Sequence, residues 1–149
     1  MESPLHQPAF VAGNAISKST TILFWIFTAL FCLEMSFTAY YELLPQGAQA
    51  FTRLGFTSSY FRLELSLAKL GGVALLLLPM VPARLKEWAY AGFAITLVSA
   101  LIAHFMVGDE VRAWGWAAGT GVLWAASYYF WRRLQSLQVT PGAAKIGDL

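Results

Sequence analysis

The sequence predicts an all-α membrane protein, a bundle of four transmembrane helices. Three observations lead there. Hydrophobic residues make up 58% of the chain and charged residues only 12%, about half the charged share of an ordinary soluble domain. A body of 149 residues buries only about two-thirds of the surface its unfolded chain exposes, so the apolar excess has to face lipid. Four segments also approach the roughly 20 mostly apolar residues that cross a hydrocarbon core, with helix-breaking residues between them.

The first segment covers about residues 21–44 and is interrupted by Glu34. Pro45 and Gly47 end it, because proline cannot continue a helix and glycine weakens one. The second, residues 59–80, carries Arg62, Glu64 and Lys69 in its first half; Ser58 or Ser59 can cap it, and Pro79 and Pro82 close it. The third, residues 88–107, contains no formal charge and one histidine, His104. Gly108-Asp109 separates it from the fourth, residues 113–131, which is uncharged throughout.

These four helices form one transmembrane domain over residues 20–134, between a polar N-terminal tail (1–19) and a loose C-terminal tail (135–149). The N-terminal stretch lacks a signal-peptide cleavage pattern, so the first helix is read as retained. Between the first two helices, Phe51 and Leu54 at i, i+3 fit either a short interfacial helix or an irregular loop, and the two are equally open. Gly115 and Gly119 form a GxxxG on the fourth helix, which suits close packing inside the bundle.

Basic residues set the orientation. Lys18, Arg84, Lys86, Arg132, Arg133 and Lys145 fall on one side; Arg53, Arg62 and Arg112 fall on the other with Glu42, Asp109 and Glu110. Both termini are therefore expected in the cytoplasm, in a multi-pass protein of the cell membrane. Trp88, Trp114, Trp116, Trp131, Tyr40, Tyr41, Tyr128 and Tyr129 lie near helix ends and read as an interfacial belt.

Several function classes lose support. A net charge of +2 with no basic stripe offers nothing for nucleic acid. The lone Cys32 excludes an intrachain disulfide or a CxxC pair and reads as a buried thiol. Nucleotide-binding glycine loops and the GxSxG elbow are absent, no metal site is expected, and no cofactor is required.

The candidate chemistry lies in the buried charges. At 1.5 Å per residue, Glu34 is about 16 Å below the outer end of its helix and Lys69 about 15 Å below its own. Glu64 is about 8 Å deep and His104 about 6 Å by the same rise. Charge inside a membrane costs several kcal/mol unless paired or hydrated, which makes it a functional signal. Glu64 and Lys69 stand about 140° apart on one helix, too far around to pair with each other. Glu34 and Lys69 are therefore expected to pair across helices, while Glu64 looks to water, a base or His104. A buried pair that merely fixes helix register remains equally open for Glu34 and Lys69. Arg62 reads as a snorkelling side chain, and Asp109 as a cap or solvated group.

One further pattern runs through the middle of the chain. Leu54-Gly55, Tyr60-Phe61, Glu64 and Leu67-Ala68-Lys69-Leu70-Gly71 precede Leu76-Leu77-Leu78-Pro79. Leu85-Lys86-Glu87-Trp88-Ala89-Tyr90-Ala91-Gly92-Phe93, His104 and Gly108-Asp109 follow. Together they resemble the DoxX-like family of small four-helix membrane proteins, over about residues 25–132.

The resemblance implies four spans in a bacterial inner membrane and an accessory role in quinone-linked redox or oxidative-stress metabolism. Redox-complex subunits or further copies of the chain would be its partners beside the lipid bilayer. It carries no agreed catalytic residues. The chain also departs from the family: Ala94-Ile95-Thr96 stands where many relatives have an acid, and Thr57 where many have proline. The alternative function is an intramembrane enzyme with isomerase-like acid–base chemistry on a small lipophilic substrate, using Glu34, Glu64, Lys69 and His104.

Overall fold

The computed structural model describes the backbone of residues 8–139 and the side chains of residues 18–137. It contains five helices: α1 Pro8–Leu43, α2 Pro45–Arg53, α3 Ser59–Leu77, α4 Ala83–Met106 and α5 Val111–Val139. No strand occurs among the described residues. Helix α1 packs on α3 and α5, and α4 packs on the same two, so the long helices close a ring; α2 lies against α1 and α3 at one end.

Local chemistry fixes the breaks. Leu44 is extended before Pro45 (ψ 158°), because a residue preceding proline is driven out of the helical region. That single extended residue separates α1 from α2, which opens with proline at its first turn. Of the two forms open to the segment between Pro45 and Ser58, the short helix is the one formed, as α2. Ser58 caps α3, its Oγ accepting from the Phe61 amide at 3.4 Å. Leu78 before Pro79 is extended (ψ 120°) and ends α3 short of the expected residue 80. Gly108 turns the chain after α4 at φ 71°, a conformation suited to glycine.

Other boundaries also differ from expectation; in α4 and α5 the arginines, lysine, glutamate and glutamine at the ends are good helix formers and carry the helix past its apolar part. Helix α1 already begins at Pro8, α4 at Ala83 rather than 88, and α5 runs through Arg132 and Arg133 to Val139. The expected tails are helical over residues 8–19 and 135–139; residues 1–7 and 140–149 lie outside the described residues.

The core runs along the ring axis. Phe31, Met35, Leu76, Tyr90, Phe93 and Leu97 are buried together, with Cys32 among them. Away from the α2 end the core is aromatic and hydroxylic. Ser127 Oγ lies 2.7 Å from both Thr28 Oγ1 and the Tyr90 hydroxyl, tying α1, α4 and α5 through three fully buried side chains. Trp131 belongs to this core at 6% exposure, its ring tilted against those of Tyr90 and Tyr128. The belt reading is corrected there: α5 continues past Trp131, so that residue is interior to the helix and faces its neighbours. Trp88 and Trp116, by contrast, are 78% and 62% exposed.

Close helix approach also occurs elsewhere than predicted. A side chain at Gly115 or Gly119 would meet nothing within 4 Å, so the GxxxG is unpacked within this chain. At Gly72 an added Cβ would stand 2.7 Å from the Phe93 ring, which brings α3 onto α4.

The exterior is apolar along its length. Leu33 and Ile95 are each 69% exposed and Val122 68%. Residues Lys18–Leu43 of α1 and the whole of α4 are long and apolar enough to cross a membrane. Helix α3 is more polar because of Arg62, Glu64 and Lys69. Helix α5 is rich in small and aromatic residues, which are only weakly hydropathic.

Candidate functional site: a roofed cavity with a buried charge pair

At the α2 end the ring does not close on itself. It encloses a cavity of about 490 Å³, walled by Met35 and Thr38 of α1, Leu65 and Lys69 of α3, Ala100 and His104 of α4, and Trp116 and Thr120 of α5. Ala50, Phe51 and Leu54 of α2, with Phe56 beyond it, form the roof. The volume falls within the roughly 300–1,000 Å³ of small-molecule pockets.

Helix α2 sits down on the ring because of Gly47. A Cβ there would collide with the backbone of Tyr41 and Glu42. Phe51 and Leu54 then turn inward over the cavity, while Arg53 at the end of α2 pairs with Asp109 in the α4–α5 turn. Asp109 is buried (side chain 5% exposed) and also lies 2.6 Å from His104 Nδ1. The roof is therefore latched by an Arg53–Asp109–His104 chain whose last member lines the cavity.

The second charged set centres on Glu42. Its carboxylate receives the Lys69 ammonium and the Ser66 hydroxyl, the latter at 3.0 Å. Both side chains of the ion pair are 8% exposed. The Arg62 guanidinium donates to the backbone carbonyls of Glu42 and Leu44 at the end of α1. Those terminal carbonyls carry the negative end of the helix dipole, so a cation is favourable there. Arg62, Ser66 and Lys69 occur at i, i+4 and i+7, which puts all three on the α3 face turned to α1. Arg62 is spent on the α1 carbonyls and does not line the cavity, which meets only the Glu42–Lys69 pair of this set.

A family model matches residues 26–127, which carry both charged sets and every helix of the ring. The chain belongs to the DoxX-like family. No curated protein and no solved structure matches it. Family membership, the two long apolar helices and the apolar exterior together mark this DoxX-like chain as a membrane protein.

Of the four candidates read from the sequence, Lys69 and His104 line the cavity of this DoxX-like chain. Glu34 does not meet Lys69. It stands one residue before the buried Met35, on the face turned to α5, and accepts from the Trp116 indole. Glu64 is exposed on the outward face of α3, with no partner among the described residues, and does not reach His104. The expected Glu34–Lys69 pair is replaced by Glu42–Lys69 because depth matched but angle did not. Arg62 caps α1 rather than snorkelling into solvent, and Asp109 is a buried ion-pair partner rather than a solvated cap.

Two residues that matter here escaped the sequence reading. By position along the chain Glu42 falls with the acids outside the membrane, and Gly47 has the signature of a helix terminator alone.

Proposed function

We propose that this chain is a four-span protein of the cell membrane, with both termini cytoplasmic, whose outer-half cavity binds a lipophilic ring compound of the quinone class. It serves as an accessory component of quinone-linked redox or oxidative-stress metabolism. The observation that carries the reading is the cavity itself: apolar walls of ring-head size, with the buried Lys69–Glu42 pair and His104 as its polar fixtures. An ammonium has three donors, and those Lys69 does not give to Glu42, with the His104 ring, suit an electron-rich ligand oxygen such as a quinone carbonyl or a phenolate. The visible spectrum and the organic extract of detergent-purified protein test it; a quinone recovered at near-stoichiometric amounts is expected.

His104→Gln is expected to lower the recovered ligand about tenfold, whereas Glu64→Gln leaves it unchanged, since Glu64 points away from the cavity. Mass spectrometry of the extracts reads both. Equal loss in the two variants contradicts the assignment of the site to the roofed cavity.

A second reading is favoured by one observation, the His104–Asp109 hydrogen bond at the cavity wall. A carboxylate that orients an imidazole suits proton transfer, and an isomerase acting on a small lipophilic ring would use it with Lys69. Recovery of a terpenoid or related non-redox ring in place of a quinone favours this reading.

The orientation rests on the distribution of lysine and arginine. Single cysteines at Gln49 and Gln138, in a Cys32→Ser background, are expected to react differently with an impermeant maleimide on intact cells. Gln49→Cys labels and Gln138→Cys does not. The reverse pattern inverts the protein and moves the cavity to the cytoplasmic half.

A further inference from the structure

The cavity has a side opening. Helices α3 and α4 touch through Gly72 and the Phe93 ring, and near the opposite end through Lys86 Nζ, which donates to the Leu76 carbonyl at 3.2 Å. Toward the α2 end, Phe61, Leu65 and Ala68 continue the Gly72 stripe at helical spacing. Yet Ala68 and Phe61 are exposed, as is Ser99 on the α4 side. A side chain at Gly92 would meet nothing within 4 Å. The cavity wall itself includes the exposed Phe61, Ile95 and Ser99, so the space inside is continuous with the outside of the ring between these two helices. From Ser59 to Gly72 this cleft is about 20 Å long by helical rise. Its lips are mostly apolar. The direct route past the end of the ring, by contrast, is covered by α2 and latched through Arg53 and Asp109.

We infer that the ligand is a tailed amphiphile. Its oxygen-bearing head sits at Lys69 and His104, and its apolar chain leaves through the α3–α4 cleft into the surrounding bilayer, which is also its route of entry. The inference rests on the ligand-binding reading above and adds the class of ligand. Size supports it: about 490 Å³ accommodates a ring head, and a long chain needs the additional room of the cleft. Chemistry supports it as well, because the cleft opens onto the apolar exterior of the ring.

Photolabelling in lipid vesicles tests it. The probes are a long-chain fatty alcohol carrying a diazirine and a diazirine-bearing phenol without a chain. The fatty alcohol is expected to form adducts on Leu65 and Thr96, within the cavity, and on the outward-facing Ile102. Ala68→Trp and Ser99→Trp, one on each lip of the cleft, are exposed changes that leave the core intact. Each is expected to cut the cavity adducts at least tenfold and to leave those on Ile102 unchanged. Cavity adducts that survive both plugs overturn the cleft route. Cavity labelling by the phenol alone overturns the tailed ligand while leaving the ligand-binding reading standing. Absence of cavity adducts from either probe overturns both.

Discussion

Glu42→Gln and Lys69→Met are each expected to destabilise the protein in detergent by about 3–5 kcal/mol, and the double variant to recover most of that loss. Both side chains are 8% exposed, so removing one partner strands the other where water cannot compensate it. Removing both leaves an uncharged wall of similar volume, in which the glutamine carbonyl can still accept from Ser66, and this can be close to neutral. Thermal unfolding of the four proteins gives the coupling, which should lie well above the roughly 0.5 kcal/mol within which independent sites add. Glu34→Gln is the control. Glu34 accepts a bond from a Trp116 that is 62% exposed, so its loss should be small and additive with Lys69→Met. Additive losses for Glu42 and Lys69 would mean that the two side chains do not share an environment.

Gly47→Ala is expected to unseat the roof. The added methyl meets backbone atoms of Tyr41 and Glu42, which have no rotamer to change. The strain therefore has to be relieved by moving α2. Overpacking of this kind costs about 1–3 kcal/mol and sometimes more. The effect should be local: faster amide exchange over Pro45–Arg53, an unlatched Arg53–Asp109 pair, and loss of bound ligand. The core of the ring, far from α2, should keep its protection. Unchanged exchange over α2 would show that the roof does not depend on this contact.

The all-helical class and the breaks between helices were legible because composition, proline and glycine act locally. Pro45, Ser58 and Pro79 do in the structure what their chemistry dictates. Partner choice was harder to read, because it depends on angle around a helix as well as depth along it. Rise alone paired Glu34 with Lys69. The buried face of α1 runs through Thr28, Phe31, Met35 and Ala39, and that spacing continues to Glu42, whereas Glu34 falls about 100° off Met35. Following this face would have found Glu42. On α3, Glu64 is two residues from both Arg62 and Ser66, which turns it away from the face they share. Gly47 offered no such signal, since its role comes from the chain folding back at Leu44. The latch from Arg53 to Asp109 joins residues in different turns, and spacing cannot reveal it.

The cavity as a ligand site is tested most directly by filling it. Ala100 is half-buried on its wall, and Ala100→Trp would occupy the space with an indole while disturbing no ion pair. Native mass spectrometry of the wild type and this variant, released from the same detergent, measures ligand occupancy. The wild type is expected to carry the bound molecule and Ala100→Trp to lose it, with a melting temperature equal to or above that of the wild type. Ligand retained by Ala100→Trp at wild-type occupancy would contradict the account.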